Sequence, residues 1–334
     1  MKEISYNNGK YKLPNCWELL TPMQFAKIAK AIYLYISKEK DVVEFRLMVL
    51  EAISGYKRSC AKISKEYQEQ INCNLLIMSC HIDFVLTPEY VKDEVWNVIS
   101  LELKKALQDN FPNEIYDAKL IQELIRVQNM LSWQPVINTK LPKNLIPELH
   151  VNNEIWHGPV FSLPGGILQT DLMAGEYLDA RELVHTFSLS GDINHLKQLA
   201  AVLYRTDRKI YKTSETQLRM IKLASGFETL LYGIWFQFIC WQEYFIKHPV
   251  FSILFQSEYD GKNKINLGSS ETIYSMSKDG YGTVEEVANM NVVDYLLIQI
   301  KYLKDGVGQL RALEKNDAEI ARTMELPVET IMML

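Results

Sequence analysis

Apolar residues recur at helical spacing along most of this chain, and two stretches break that period. Between residues 2 and 13 the spacing is that of strands. Ile4 and Tyr6 alternate with polar neighbours, Asn8-Gly9 is a strong two-residue turn signal, and Tyr11 and Leu13 resume the alternation. A β-hairpin is expected there, ended by Pro14. The first helix is announced by Thr21 as N-cap, Pro22 at the first helical position and Gln24 completing a capping box, with Leu20 and Phe25 placed for a hydrophobic staple. Phe25, Ile28, Ala29, Ile32 and Ile36 then line one face. A second helix is expected from Asp41 to Gly55, a third over 64–84, a fourth from Thr87-Pro88 to Gln108 and a fifth over 114–132.

The second break lies between Trp133 and Gly166, which hold five of the eleven prolines. Proline lacks the amide donor and clashes inside helices, so this stretch reads as an extended connection with a short strand pair. It marks either a boundary between two halves or a long connection crossing one domain. The corresponding division is 1–132 (hairpin plus helical half), 133–167 (proline-rich connection) and 168–334 (C-terminal helical half). Helices are expected again over 171–188, 192–205, Ser214 to Lys247, Thr283 to Asn289, 291–304 and 307–323, with 257–270 a polar loop. The fold class is therefore mainly α: helical bundle-type packing with one N-terminal hairpin.

Composition narrows the function. Hydrophobic residues make up 48% and charged residues 23% of 334, enough for a sizeable core, and the net charge of −5 has no basic tract for nucleic acid or anionic membrane. Five scattered cysteines favour reduced thiols. The uncharged run from Thr229 to Trp241 is shorter than the roughly 20 residues of a membrane span, and the N-terminus lacks the apolar run of a signal peptide. A cytoplasmic chain is expected.

Candidate chemistry is thin. Cys73, Cys80 and His81 miss zinc-knuckle spacing and read as small core thiols, while His150, His157, His185 and His195 fit no ligand pattern. Glu176 and Asp179 share a helical face, which reads as a solvated edge rather than an acid–base pair. No nucleophile elbow, P-loop or dinucleotide fingerprint is present. The C-terminal pair Asp317–Arg322 and Val328–Leu334 has the cadence of a helix-turn-helix, but its second helix holds no Arg, Lys, Asn or Gln to read a base edge. No catalytic, cofactor or metal site is expected, and no enzyme. The densest apolar segment runs from Phe227 to Phe255 and reads as the central strut of a core, with part of it free for a partner.

Three blocks carry a resemblance. They are Leu13-Pro14 with Trp17-Glu18-Leu19-Leu20-Thr21-Pro22; Asp171-Leu172-Met173-Ala174-Gly175-Glu176-Tyr177-Leu178-Asp179 with Leu203-Tyr204-Arg205; and Gly280-Tyr281-Gly282-Thr283 through Asn291-Val292-Val293-Asp294-Tyr295. Together they resemble a family of phage and prophage tail-region proteins, tail-assembly-chaperone-like, although residue 177 is Tyr where the family pattern has Phe. The resemblance implies a protein that holds a helical tape-measure protein in solution during tail assembly, in the host-cell cytoplasm. The rival readings are a virion connector or tail-end protein, and a helical regulator or enzyme. Partner contacts, or contacts between copies of the chain, are expected at Trp235, Phe238, Trp241, Phe245, Ile331 and Leu334. Trp235 and Trp241 stand six apart, so one of the two is expected to stay free of the core.

Overall fold

The computed structural model describes residues 1–6, 9–55, 73–90, 94–108, 123, 127, 133–223, 227–255 and 269–334. Among these residues the fold is mainly α, as the periodicity predicts, and each strand belongs to a two-stranded antiparallel pair. The first pair is the expected hairpin, β1 (Lys2–Tyr6) with β2 (Gly9–Leu13), in which Tyr6 stands opposite Gly9. Helix α1 (Pro22–Ile36) starts as the sequence says. Thr21 Oγ1 accepts from the Gln24 amide at 3.3 Å, and the Gln24 side chain accepts from the Thr21 amide at 2.9 Å. Helix α2 (Val42–Ser54) is capped by Asp41, whose Oδ1 accepts from the Glu44 amide at 2.8 Å.

The chain divides into two compact units; the break at Asn138–Thr139 falls inside the proline-rich stretch, but neither unit is one continuous half of the sequence. One unit is Met1–Leu19 with Lys38–Asn138; the other is Leu20–Ser37 with Thr139–Leu334. Helix α1 thus belongs with the C-terminal half.

In the smaller unit, Trp17 meets Phe84 edge-on at 5.1 Å. Strand β3 (Leu86–Tyr90), helices α3 (Glu94–Val98) and α4 (Leu101–Gln108), and strand β4 (Trp133–Ile137) follow, with Pro88 opposite Pro135 in the β3–β4 ladder. Thr87-Pro88 therefore does not open a helix. It has the cap and the proline of Thr21-Pro22, but Tyr90 stands where a Glu or Gln would close the box. The third expected helix ends early: 73–79 are helical, 80–84 are not, and both Cys73 and Cys80 are exposed rather than core thiols. Its earlier part, and the expected helix over 114–132 apart from residues 123 and 127, lie outside the described residues.

In the larger unit the proline-rich stretch folds into two strand pairs, β5 (Glu148–Val151) with β6 (Glu154–His157) and β7 (Phe161–Ser162) with β8 (Gln169–Thr170). Then come α5 (Ala174–Ser190), α6 (Ile193–Leu203), α7 (Thr216–Lys222), α8 (Glu228–Lys247), α9 (Ser269–Lys278), α10 (Val284–Ala288), α11 (Val292–Ala312), α12 (Asp317–Met324) and α13 (Val328–Met333). The expected helix from Ser214 to Lys247 is two helices, because Leu223 leaves helical geometry. The helices expected over 291–304 and 307–323 differ too. Helix α11 runs unbroken to Ala312, its two glycines tolerated inside it, and α12 starts afresh on an Asn316–Glu319 capping box.

Helix α8 is the centre of this unit, with α1, α5 and α6 packed against it. The approach to α1 is close at Gly233, where an added Cβ would lie 2.6 Å from Ile146 Cδ1 and 3.0 Å from Ala26 Cβ. Overpacked core positions cost about 1–3 kcal/mol. We expect Gly233→Val to lower the denaturation midpoint by at least that much, measured by urea titration, and Gly308→Ala, which meets open space, to leave it unchanged or raise it slightly.

Gln237 is the one polar residue in the middle of α8, fully buried, and it ties the proline-rich stretch down. Its Oε1 accepts from the amides of Leu145 at 2.8 Å and Ile146 at 3.3 Å, while Tyr204 donates to Ile146 O at 2.6 Å. Backbone amides near prolines lack ladder partners, and burying them requires side-chain acceptors of this kind. The stretch is part of the core.

Candidate functional site

The polar residues of the central motif converge on one buried network. Glu176 is the third residue of α5, where a carboxylate can reach back to the exposed amides of the first turn. Its Oε2 accepts from the Met173 amide at 3.0 Å and from Arg208 Nη2 at 3.0 Å, and its Oε1 accepts from Arg205 Nη1. Glu176 is wholly buried and Arg205 is 4% exposed. Arg208 also pairs with Asp171 through Nε at 3.1 Å, and Asp171 Oδ1 accepts from the Val160 amide at 2.7 Å. Two guanidiniums face two carboxylates, so the charge is balanced. The expectation of a solvated edge is wrong for Glu176, because the capping position turns its side chain inward along the helix start.

The arginines come from the segment after α6. Arg205 exchanges backbone hydrogen bonds with His157, at 2.9 and 3.3 Å, which extends the β6 edge by one bridge. Arg208 Nη1 donates to Leu203 O at 2.7 Å and Arg219 Nε donates to Ala201 O at 2.7 Å, so both close the negative end of α6. Burial and the neighbouring Arg205 charge lower the Arg219 pKa.

Asp179, one turn along α5, accepts from the hydroxyls of Tyr211 and Thr213. Tyr211 fits against α5 because residue 175 is glycine; a Cβ there would be 3.0 Å from its ring. The late motif closes the network from its other side. Asn291 donates to Thr170 O at 2.7 Å, the Ala174 amide to Met290 O at 2.8 Å, and the Val292 amide to Leu172 O at 2.8 Å.

Chemically, the carboxylates of the network are occupied. Both oxygens of Glu176 are taken, Asp179 Oδ2 holds two donors, and general acid–base work requires a group that can reach a substrate. Among the described residues no group of three or more His, Cys, Asp or Glu could hold a metal. No helix among them is long and apolar enough to cross a membrane.

Three buried tyrosines add a pH dependence. Burial pushes Tyr177 up to about 12, raises Tyr204, and with Asp179 raises Tyr211. A raised folded-state pKa means that the folded chain holds its proton more tightly. This contribution to stability is complete below the ordinary tyrosine value of 10.0 and is lost as the pH climbs toward 12. Thermal melts are expected to be flat just below pH 10 and to fall steeply above it.

The six residues expected at a partner surface fare differently. Trp235, Phe238, Trp241, Phe245 and Ile331 are all buried, and only Leu334 is partly exposed. The two tryptophans do face different directions, but both directions are core. Trp235 lies against Tyr33 and Phe187 at 5.7 and 5.9 Å, and Trp241 stacks on Phe161 at 5.1 Å. Helix α8 is covered on each of these sides, so neither tryptophan is left free. At the C-terminus, Ile331 packs with Val307, Ile320 and Ala321, and Arg311 Nη2 donates to its carbonyl at 3.0 Å. The exposed apolar residues there are Val328, Met332 and Met333.

The arginine side of the network borders an open groove of about 590 Å³, lined by Trp156, Arg205, Lys209, Ile210, Lys212 and Leu218 among others. Sequence reading missed it, because its residues come from β6, the α6–α7 connection and α7. No protein-family model, no curated protein and no solved structure matches the chain.

Proposed function

We propose that this chain is a non-enzymatic interaction protein of a phage tail module, a tail assembly chaperone that binds a helical partner of the tape-measure kind in the host cytoplasm. The observation that supports this most is where the motif residues of the resemblance go. Glu176, Asp179, Tyr204, Arg205 and Asn291 are spent on one another, on the Tyr211 and Thr213 hydroxyls and on backbone groups inside the larger unit. Residues committed in this way define a scaffold rather than a reaction centre, and what such a scaffold offers outside is surface. Exposed apolar side chains such as Leu218, Ile221, Met332 and Met333 are of the kind that protein partners cover. Co-expression with a tape-measure protein encoded beside it tests the reading. The partner is expected to stay in the supernatant only when this chain is present. A partner that precipitates equally with and without it overturns the proposal.

A further inference from the structure

We propose that the groove beside Arg205 receives an acidic amphipathic helix of the partner, with carboxylates toward Lys209 and Lys212 and apolar side chains over Ile210 and Leu218. The inference rests on the helical-partner reading and names the chemistry that such a partner must present.

Charge complementarity carries it. The chain as a whole is acidic, at −5, yet five of the groove's lining residues are cationic and three acidic. Of the acids, Glu154 is held by Lys222 at 3.2 Å and Glu215 by Arg219 at 3.1 Å, and Asp207 accepts from the Lys209 amide at 2.9 Å. Lys209 and Lys212 are exposed and make no ion pair among the described residues. Arg205 lines the same groove but its charge is already answered by Glu176, so the two lysines are the cations left for a ligand.

The apolar half is on the same wall. Ile210 is 52% exposed between the two lysines, Leu218 is 66% exposed, and Ile221 at 72% stands one helical turn further along α7. Trp156 lies beneath, fully buried, its indole N–H held by Glu154 at 3.0 Å. An amphipathic helix offers such a surface both of the things it lacks, acceptors and apolar cover, in i, i+3 and i+4 positions.

The test uses the full chain and a synthetic amphipathic helix with leucines on one face and glutamates on the other, followed by fluorescence anisotropy. A second peptide carries lysine in place of glutamate, and inorganic phosphate serves as a small-anion probe. The acidic peptide is expected to bind, more weakly as salt is added. The double variant Lys209→Glu, Lys212→Glu and the single variant Leu218→Asp, all at exposed positions, should each weaken it by roughly tenfold or more, with circular dichroism and Tm unchanged. Equal binding of the lysine peptide, unchanged affinity in the variants, or binding of phosphate without the peptide overturns the inference. Repeating the co-expression with Lys209→Glu, Lys212→Glu separates this from the wider reading. Full rescue of the partner by the variant removes the groove and leaves the function, whereas failure of the unaltered chain removes the function itself.

Discussion

Replacing Glu176 by alanine is expected to destabilise the larger unit by about 3–5 kcal/mol, the usual loss when one partner of a buried ion pair is removed. The size follows from what is left behind. Arg205 and Arg208 keep their charges, one fully and one largely out of water, with only Asp171 to answer them. The Met173 amide at the start of α5 also loses its acceptor. Glu176→Gln separates the two losses: it can keep an oxygen for the Met173 amide while removing the charge, and should fall between wild type and alanine. Arg205→Ala should cost a similar amount, and the double variant Glu176→Ala, Arg205→Ala less than the sum of the singles, because the unpaired charges leave together. Denaturant titrations of the four variants measure this. A loss below about 1 kcal/mol for Glu176→Ala would place the carboxylate in water and contradict the network.

Trp241→Ala is expected to cost as much, about 3–5 kcal/mol, as for other large aromatic truncations in cores. The ring is fully buried, stacks on Phe161 at 15° and sits near Phe238. Its indole N–H has no hydrogen-bond partner, so Trp241→Phe should recover most of the loss by refilling the space. A surface anchor would behave in the opposite way: alanine would leave the melting curve in place and weaken only partner binding.

Much of this fold was legible in the sequence, and the failures have identifiable causes. Capping boxes at Thr21 and Thr283 and the cap at Asp41 placed helix starts correctly because the signal is local. Thr87-Pro88 misled because a threonine before proline suits extended backbone equally well, and only the strand 133–137, distant in sequence, decides between them. The proline-rich stretch read as a connection because its anchors, Gln237 and Tyr204, lie far along the chain. The same holds for the network. Glu176 and Arg205 are 29 positions apart, and spacing along one helix cannot show that a charged residue is turned inward. The one available hint was that Glu176 and Arg205 are charged residues set among largely apolar neighbours. The tryptophan argument failed for a geometric reason: a helix covered on several sides buries residues on opposed faces, so divergence of Trp235 and Trp241 did not imply that one was free.

The proposed role as a tail assembly chaperone requires the chain to bind a helical partner during assembly and to be left out of the finished particle. It is tested most directly by mass spectrometry of two fractions from the same phage-producing culture, the chain's complexes in the lysate and the purified particles. The account predicts the chain bound to the tape-measure protein in the lysate and missing from finished particles. Its recovery in particles at a fixed ratio to the tail proteins, with no complex in the lysate, would contradict the claim and assign the chain to the virion.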